Sequence, residues 1–163
     1  MLLSEIIGIL EDWCPASDAE DFDNVGLLVG DQESEIKKAI ITLDMTDDVI
    51  DECISCESNL IISFHPLFII DPKTEITDSR VNDIIIKCVK NDINVYCIHT
   101  NLDNNKDGTS YQLGKILKLK NQKILISNDC NSLKGMGSIG FMEKSMMDYD
   151  CLLYTSDAAD DVV

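Results

Sequence analysis

Apolar positions near the start of the chain fall at Leu2, Leu3, Ile6, Ile9, Leu10 and Trp13. That is the spacing of one helix face, and Pro15 closes the helix. A polar, turn-rich stretch covers residues 14–26. The short apolar runs Leu27–Val29 and Ala39–Leu43 read as strands. Thr46 is placed to cap a helix, with Asp47 and Asp48 favourable in its first turn. That helix runs to about Glu57, with Val49, Ile50, Cys53 and Ile54 as its inner face. A strand over Leu60–Ser63 follows, and then a polar loop over Asp71–Asp78. Val81, Ile84, Ile85, Cys88 and Val89 predict another helix, and Ile93–Ile98 another strand. Leu113, Ile116, Leu117 and Leu119 mark a further helix before a strand over Lys123–Ser127.

Strand and helix therefore alternate from Ala39 to Ser127. The strands are near-continuous runs of Ile, Leu and Val, as expected of strands covered on both faces. The pattern predicts an α/β fold, a layered sheet with parallel strands and helices on both faces. The strands ending at Leu43, Ser63 and Ile98 are expected to be parallel and neighbouring. No internal repeat is visible.

Charge narrows the range of functions. The 163 residues carry 30 acidic and 13 basic side chains, a formal net charge of -17. A nucleic-acid binder needs a basic face, and no stretch here supplies one. Anionic membrane surfaces are disfavoured for the same reason, and no apolar run approaches a membrane span. Met1 to Trp13 contains Glu5, Glu11 and Asp12 and no basic region, so it does not read as a signal peptide. Seven cysteines at irregular spacing are then expected to be reduced thiols in a cytoplasmic protein.

The candidate chemistry lies where the two most apolar strands end. Each runs out into a histidine, His65 and His99, and these are the two histidines of the whole chain. In parallel α/β sheets, ligands bind beyond the carboxyl ends of the strands. Asp103 follows four residues after His99. Imidazole and carboxylate together suit Zn, Fe or Mn, so His65, His99 and Asp103 are candidate ligands. No residue is singled out as catalytic. Cys53 and Cys56 form a CxxC, but no second pair completes a zinc ribbon, and the pair falls near a helix C-terminus, so packing is the better reading. Gly135 to Gly140 matches GxGxxG without a following helical stripe, which favours a glycine-rich strand over a dinucleotide loop. Asp23 to Gly26 is a turn signal. A hydrolase triad of Ser63, His65 and Asp103 lacks the GxSxG elbow and is set aside.

Four blocks in order, Asp21 to Gly30 (DFDNVGLLVG), Thr42 to Thr46 (TLDMT), Leu60 to Phe68 (LIISFHPLF) and His99 to Asp103 (HTNLD), resemble the Nif-three-like family. Its members are also known as dinuclear-metal-centre proteins or GTP cyclohydrolase type-two homologues. The resemblance implies an α/β fold, up to two divalent ions, and homo-oligomers from dimers to ring-like hexamers. By position, His65, His99 and Asp103 match family metal ligands, and Asp23 and Asn24 match a motif near that site. One departure is Phe64, where the family usually has a further histidine. The family's additional His and Glu ligands come from its C-terminal part, which this chain does not reach.

The expected organisation is a metal-site α/β domain over 1–134 and the start of a second half over 135–150. Residues 151–163 resemble the translation of a sequencing adapter and are expected to be disordered. The implied function is a metal-dependent hydrolase acting on a small molecule of the nucleotide or cyclic-amide class. The alternative is a non-enzymatic regulatory protein, stabilised by metal, that binds a transcription adaptor.

Overall fold

The computed structural model describes residues 1–68, 79–127 and 134–142. Helix α1 (Leu3–Trp13) is followed by a 3-10 turn at Ala16–Asp18 and strand β1 (Gly26–Val29). Then come β2 (Ala39–Thr42), α2 (Asp47–Ser55), β3 (Leu60–Ser63), α3 (Ser79–Lys90) and β4 (Asn94–Cys97). A short α4 (Thr100–Asp103), α5 (Thr109–Ile116), β5 (Lys120–Ser127) and β6 (Gly135–Phe141) complete the described elements. The expectations for Asp71–Asp78 and for residues 143–163 lie outside the described residues.

Strands β1 to β4 form one sheet in the order β1-β4-β3-β2. As expected from their apolar runs, β2, β3 and β4 are parallel neighbours, with Thr42 opposite Ser63 and Ser63 opposite Cys97. Each connection carries a helix, as a parallel crossover requires. Strand β1 runs antiparallel to β4, pairing Gly26 with Cys97. A mixed sheet of this kind is a common outcome when one edge strand arrives without a crossover helix.

Helices cover both faces. On one face, Ile50 and Cys53 of α2 and Val81, Ile84 and Cys88 of α3 pack on Ile61 and Val95. On the other, Leu3 of α1 joins Cys14, Leu60, Tyr96 and Ile98, with Ile6, Ile7 and Leu10 packed against them. Alternate residues of β3 and β4 point to opposite faces, so each strand feeds both cores. Burying this apolar surface is the main favourable term holding the layers together. The α2 cap is as expected: the Val49 N–H donates to the Thr46 hydroxyl at 3.3 Å.

Three expectations are corrected. Strand β5 does not extend the parallel sheet but pairs antiparallel with β6, in a separate two-stranded sheet. Its sequence KNQKILIS is polar at its first four positions, so it lacks the doubly covered character of β3 and β4. The apolar stripe of α5 is not its buried face: Ile116 is 76% exposed and Leu113 is also exposed. Gly114 is the buried point, because a Cβ there would lie 2.2 Å from the Gln122 side chain. Ile54 and Val89 also prove exposed, so the inner faces of α2 and α3 are narrower than periodicity implied. Helix α4, four residues long, was too short to leave a periodic signal.

Candidate functional site

The parallel order brings the carboxyl ends of β2, β3 and β4 to one rim. The ladder between β2 and β3 continues past both strands: Phe64 N–H donates to the Thr42 carbonyl at 3.0 Å, and His65 N–H to the Leu43 carbonyl at 2.9 Å. This sets Asp44 beside His65. Ile98 N–H in turn donates to the Ser63 carbonyl at 2.9 Å, which carries β4 to the same rim and His99 just beyond it. Because β1 is antiparallel to β4, its beginning lies at this rim too, and with it Asp23 and Asn24. Four chain segments thus deliver two imidazoles and two carboxylates to one place.

The imidazoles of His65 and His99 lie edge to face with ring centres 5.6 Å apart. Phe64 is the third ring of the group, 5.1 Å from His65 and 5.3 Å from His99. Each imidazole has its own carboxylate. His65 Nδ1 is 2.7 Å from Asp44 Oδ1, and His99 Nδ1 is 2.9 Å and 3.0 Å from the two Asp23 oxygens. Asp23 also accepts from the Thr100 N–H at 3.0 Å, the Thr100 hydroxyl and its neighbour Asn24 N–H at 2.8 Å. Burial pushes the Asp23 carboxyl up, but the hydrogen bonds from Thr100, His99 and Asn24 outweigh it and hold it below the usual carboxylate value. Asn24 Nδ2 donates to the Phe68 carbonyl at 3.2 Å, tying the segment before β1 to the one after His65.

A carboxylate on Nδ1 is the usual outer partner of a metal-ligating histidine, since it fixes the ring and leaves Nε2 to ligate. The two imidazoles meet that requirement. The third sequence candidate is not drawn up to them: the Asp103 carboxylate, one turn along α4, accepts from the Thr109 hydroxyl. It also lines a cavity of about 510 Å³ between the start of α5 and the β5–β6 sheet, with Lys106, Tyr111 and Lys123. Among the described residues, no group of three or more His, Cys, Asp or Glu side chains is gathered closely enough to hold an ion. The donor set assembled at the rim is therefore two imidazoles with their carboxylates.

The motifs set aside at the sequence level are structural. Cys53 is in the α2 core with its thiol on the Ser58 carbonyl at 3.2 Å, and burial pushes its pKa up. Burial also pushes Cys97, beneath the rim, up to about 12. Neither thiol is an activated nucleophile. Gly135 to Gly140 lies in β6, where a Cβ on Gly135 would meet the Ile126 carbonyl oxygen at 2.1 Å. Ser63 is buried, and among the described residues no hydrogen bond links it to His65. Two participants were missed in the sequence, Asp44 and Thr100, although both stand within the blocks TLDMT and HTNLD.

The Duf34/NIF3 (NGG1p interacting factor 3) family model matches residues 1–158. The chain belongs to that family. It is 40% identical over 146 residues to a GTP cyclohydrolase 1 type 2 homolog of Clostridium perfringens, covering 90% of this chain and 56% of the relative. The chain thus spans about half the length of the curated relatives it matches. Among solved structures, reduced HcgD of Methanocaldococcus jannaschii superposes with a TM-score of 0.78 at 32% identity, over 97% of this chain and 60% of that one. A Bacillus cereus protein related to NIF3 gives 0.70 at 37% identity, over 77% of this chain and 35% of that one. The NIF3 fold is thereby shown, with the rim histidines just beyond the ends of its parallel strands β3 and β4.

Proposed function

We propose that this NIF3-family chain carries part of a divalent-metal site and acts as a metal-dependent hydrolase. The observation that supports it most is the pair of imidazoles, each with Nδ1 on a carboxylate, on one sheet rim. His65, His99 and Asp103 would hold Zn, Fe or Mn, and Asp103 would exchange its Thr109 partner for the ion. A bound ion would supply Lewis acidity towards a carbonyl or phosphoryl oxygen and make an attacking water more acidic. The protein's own part is orientation: Asp23 and Asp44 hold the rings, and Phe64 shields one side of the pair. The names of the curated relatives support a nucleotide or cyclic-amide substrate class. Assembly into a dimer or hexamer and a cytoplasmic location belong to the same proposal.

The family description names an interaction factor, which favours a second reading. In it the metal only stabilises a surface that binds a transcription adaptor. Elemental analysis of the purified chain, with turnover on a nucleotide panel, separates the two. The hydrolase reading expects bound metal and hydrolysis that is lost in His99→Ala. Metal without turnover in a protein of the relatives' full length would favour the interaction reading. Absence of metal in that protein would overturn both.

A further inference from the structure

The two rim histidines differ in how they are held. The His99 ring is 17% exposed and its Asp23 partner is fully buried, whereas His65 and Asp44 are 44% and 59% exposed. The first pair is fixed by the surrounding structure: Thr100 and Asn24 also bind Asp23, and His99 N–H donates to the Asn101 side chain at 2.8 Å. The second pair is more open to solvent. The backbone helps to hold it: His65 N–H is bonded to the Leu43 carbonyl, and the Thr42 hydroxyl donates to the Asp44 carbonyl at 2.9 Å. Those two bonds fix the main chain on both sides of the contact. The Asp44 carboxylate is therefore presented to His65 by the end of β2.

We propose that Asp44 is the positioning residue of His65, holding its proton on Nδ1 and turning Nε2 towards the space it shares with His99. The inference rests on the metal reading for its purpose but not for its geometry. A neutral histidine ring in water prefers its proton on Nε2, which would block that nitrogen as a ligand. A carboxylate 2.7 Å from Nδ1 reverses the preference, because an ionised carboxylate only accepts hydrogen bonds. Asp23 does the same for His99. The pairs should nevertheless respond differently, since the Asp44 bond competes with water and salt and the Asp23 bond does not.

Histidine appears twice in the chain, so ring-nitrogen NMR of the full chain gives two readily separated signals. Spectra are taken above about pH 7.5, a unit beyond the ordinary imidazole value, for the wild type, Asp44→Ala and Asp44→Glu. Cobalt(II) affinity is measured on the same samples by competition with a chelator. The expected result is a proton on Nδ1 of both rings in the wild type. Asp44→Ala should move the His65 proton to Nε2, leave His99 unchanged and weaken cobalt binding about 10- to 100-fold. Asp44→Glu should restore part of both. A wild-type His65 protonated on Nε2, or an unchanged His65 spectrum in Asp44→Ala, would overturn the inference. If the wild type takes up no cobalt, the metal reading fails for this chain, while the ring spectra still decide the role of Asp44.

Discussion

The Asp23 carboxylate accepts from His99 Nδ1 at 2.9 Å and is fully withdrawn from solvent. The two residues lie on segments that meet because β1 runs antiparallel to β4. Asp23→Ala would leave the His99 ring, the Thr100 amide and the Asn24 amide short of an acceptor. Leaving buried donors without their acceptor costs about 1–3 kcal/mol. Urea denaturation should show that loss as a lower midpoint with unchanged slope. A cost below about 1 kcal/mol would mean that water reaches these donors without rearrangement.

Phe64 bears on metal capacity. Its ring touches both imidazoles yet offers no ligating atom. Phe64→His would place a third imidazole beside the other two. Catalytic zinc sites commonly use three protein ligands and structural ones four, so affinity for zinc should rise. The wild type should bind at most one ion per chain, weakly. Two tightly held ions in the wild type, read by elemental analysis, would show that ligands come from elsewhere.

Tyr96 supplies a pH dependence far from the rim. Its hydroxyl donates to Glu11 Oε1 at 2.7 Å, which joins β4 to α1. Burial, and then the Glu11 carboxylate, push its pKa above the ordinary phenol value. A raised folded value means the contribution is present below the unfolded value, near ~10, and is lost as pH rises through it towards the folded one. Stability should therefore fall at alkaline pH, and Tyr96→Phe should flatten that fall. Tyr96→Phe should also cost about 1.5 kcal/mol at neutral pH.

The rim was legible in the sequence because two apolar runs ending in histidine are strong local signals. Parallel order then does the rest, since strands with crossovers must bring their carboxyl ends to one edge. Asp44 was not legible in that way. Its role depends on the register between β2 and β3, and no one-dimensional pattern records which residue lies beside which. Asp103 was placed by its spacing of four from His99, but its present partner, the Thr109 hydroxyl, lies beyond α4 and no spacing announced it. The stripe of α5 misled for a reason of packing. Leu113 and Ile116 satisfied the helical period, yet close packing at Gly114 decided which side faces the β5–β6 sheet.

Gly30 is the position where backbone and packing demand glycine together. Its φ is +118°, outside the region open to ordinary residues. A Cβ there would lie 2.0 Å from Asn94 Oδ1. That oxygen is already committed: it accepts from Asp31 N–H at 3.0 Å and the Ser34 hydroxyl at 3.2 Å, while Asn94 Nδ2 donates to the Asn59 carbonyl at 3.0 Å. Asn94 thus clips the segment after β1 to the start of β3, and it cannot move aside without releasing these partners. Gly30→Ala should cost at least ~2 kcal/mol, from backbone strain and displacement of a well-packed side chain. Asn94→Ala should also destabilise the protein, by removing the clip. In the double variant the two worst contacts are gone and only the Asn94 Cβ, at 2.9 Å, remains close, so Gly30→Ala should cost less than in the wild-type background, and the two effects should fall short of additivity. Thermal melts of the four proteins measure the coupling. Strict additivity would place the whole cost of Gly30→Ala in the backbone and none in Asn94.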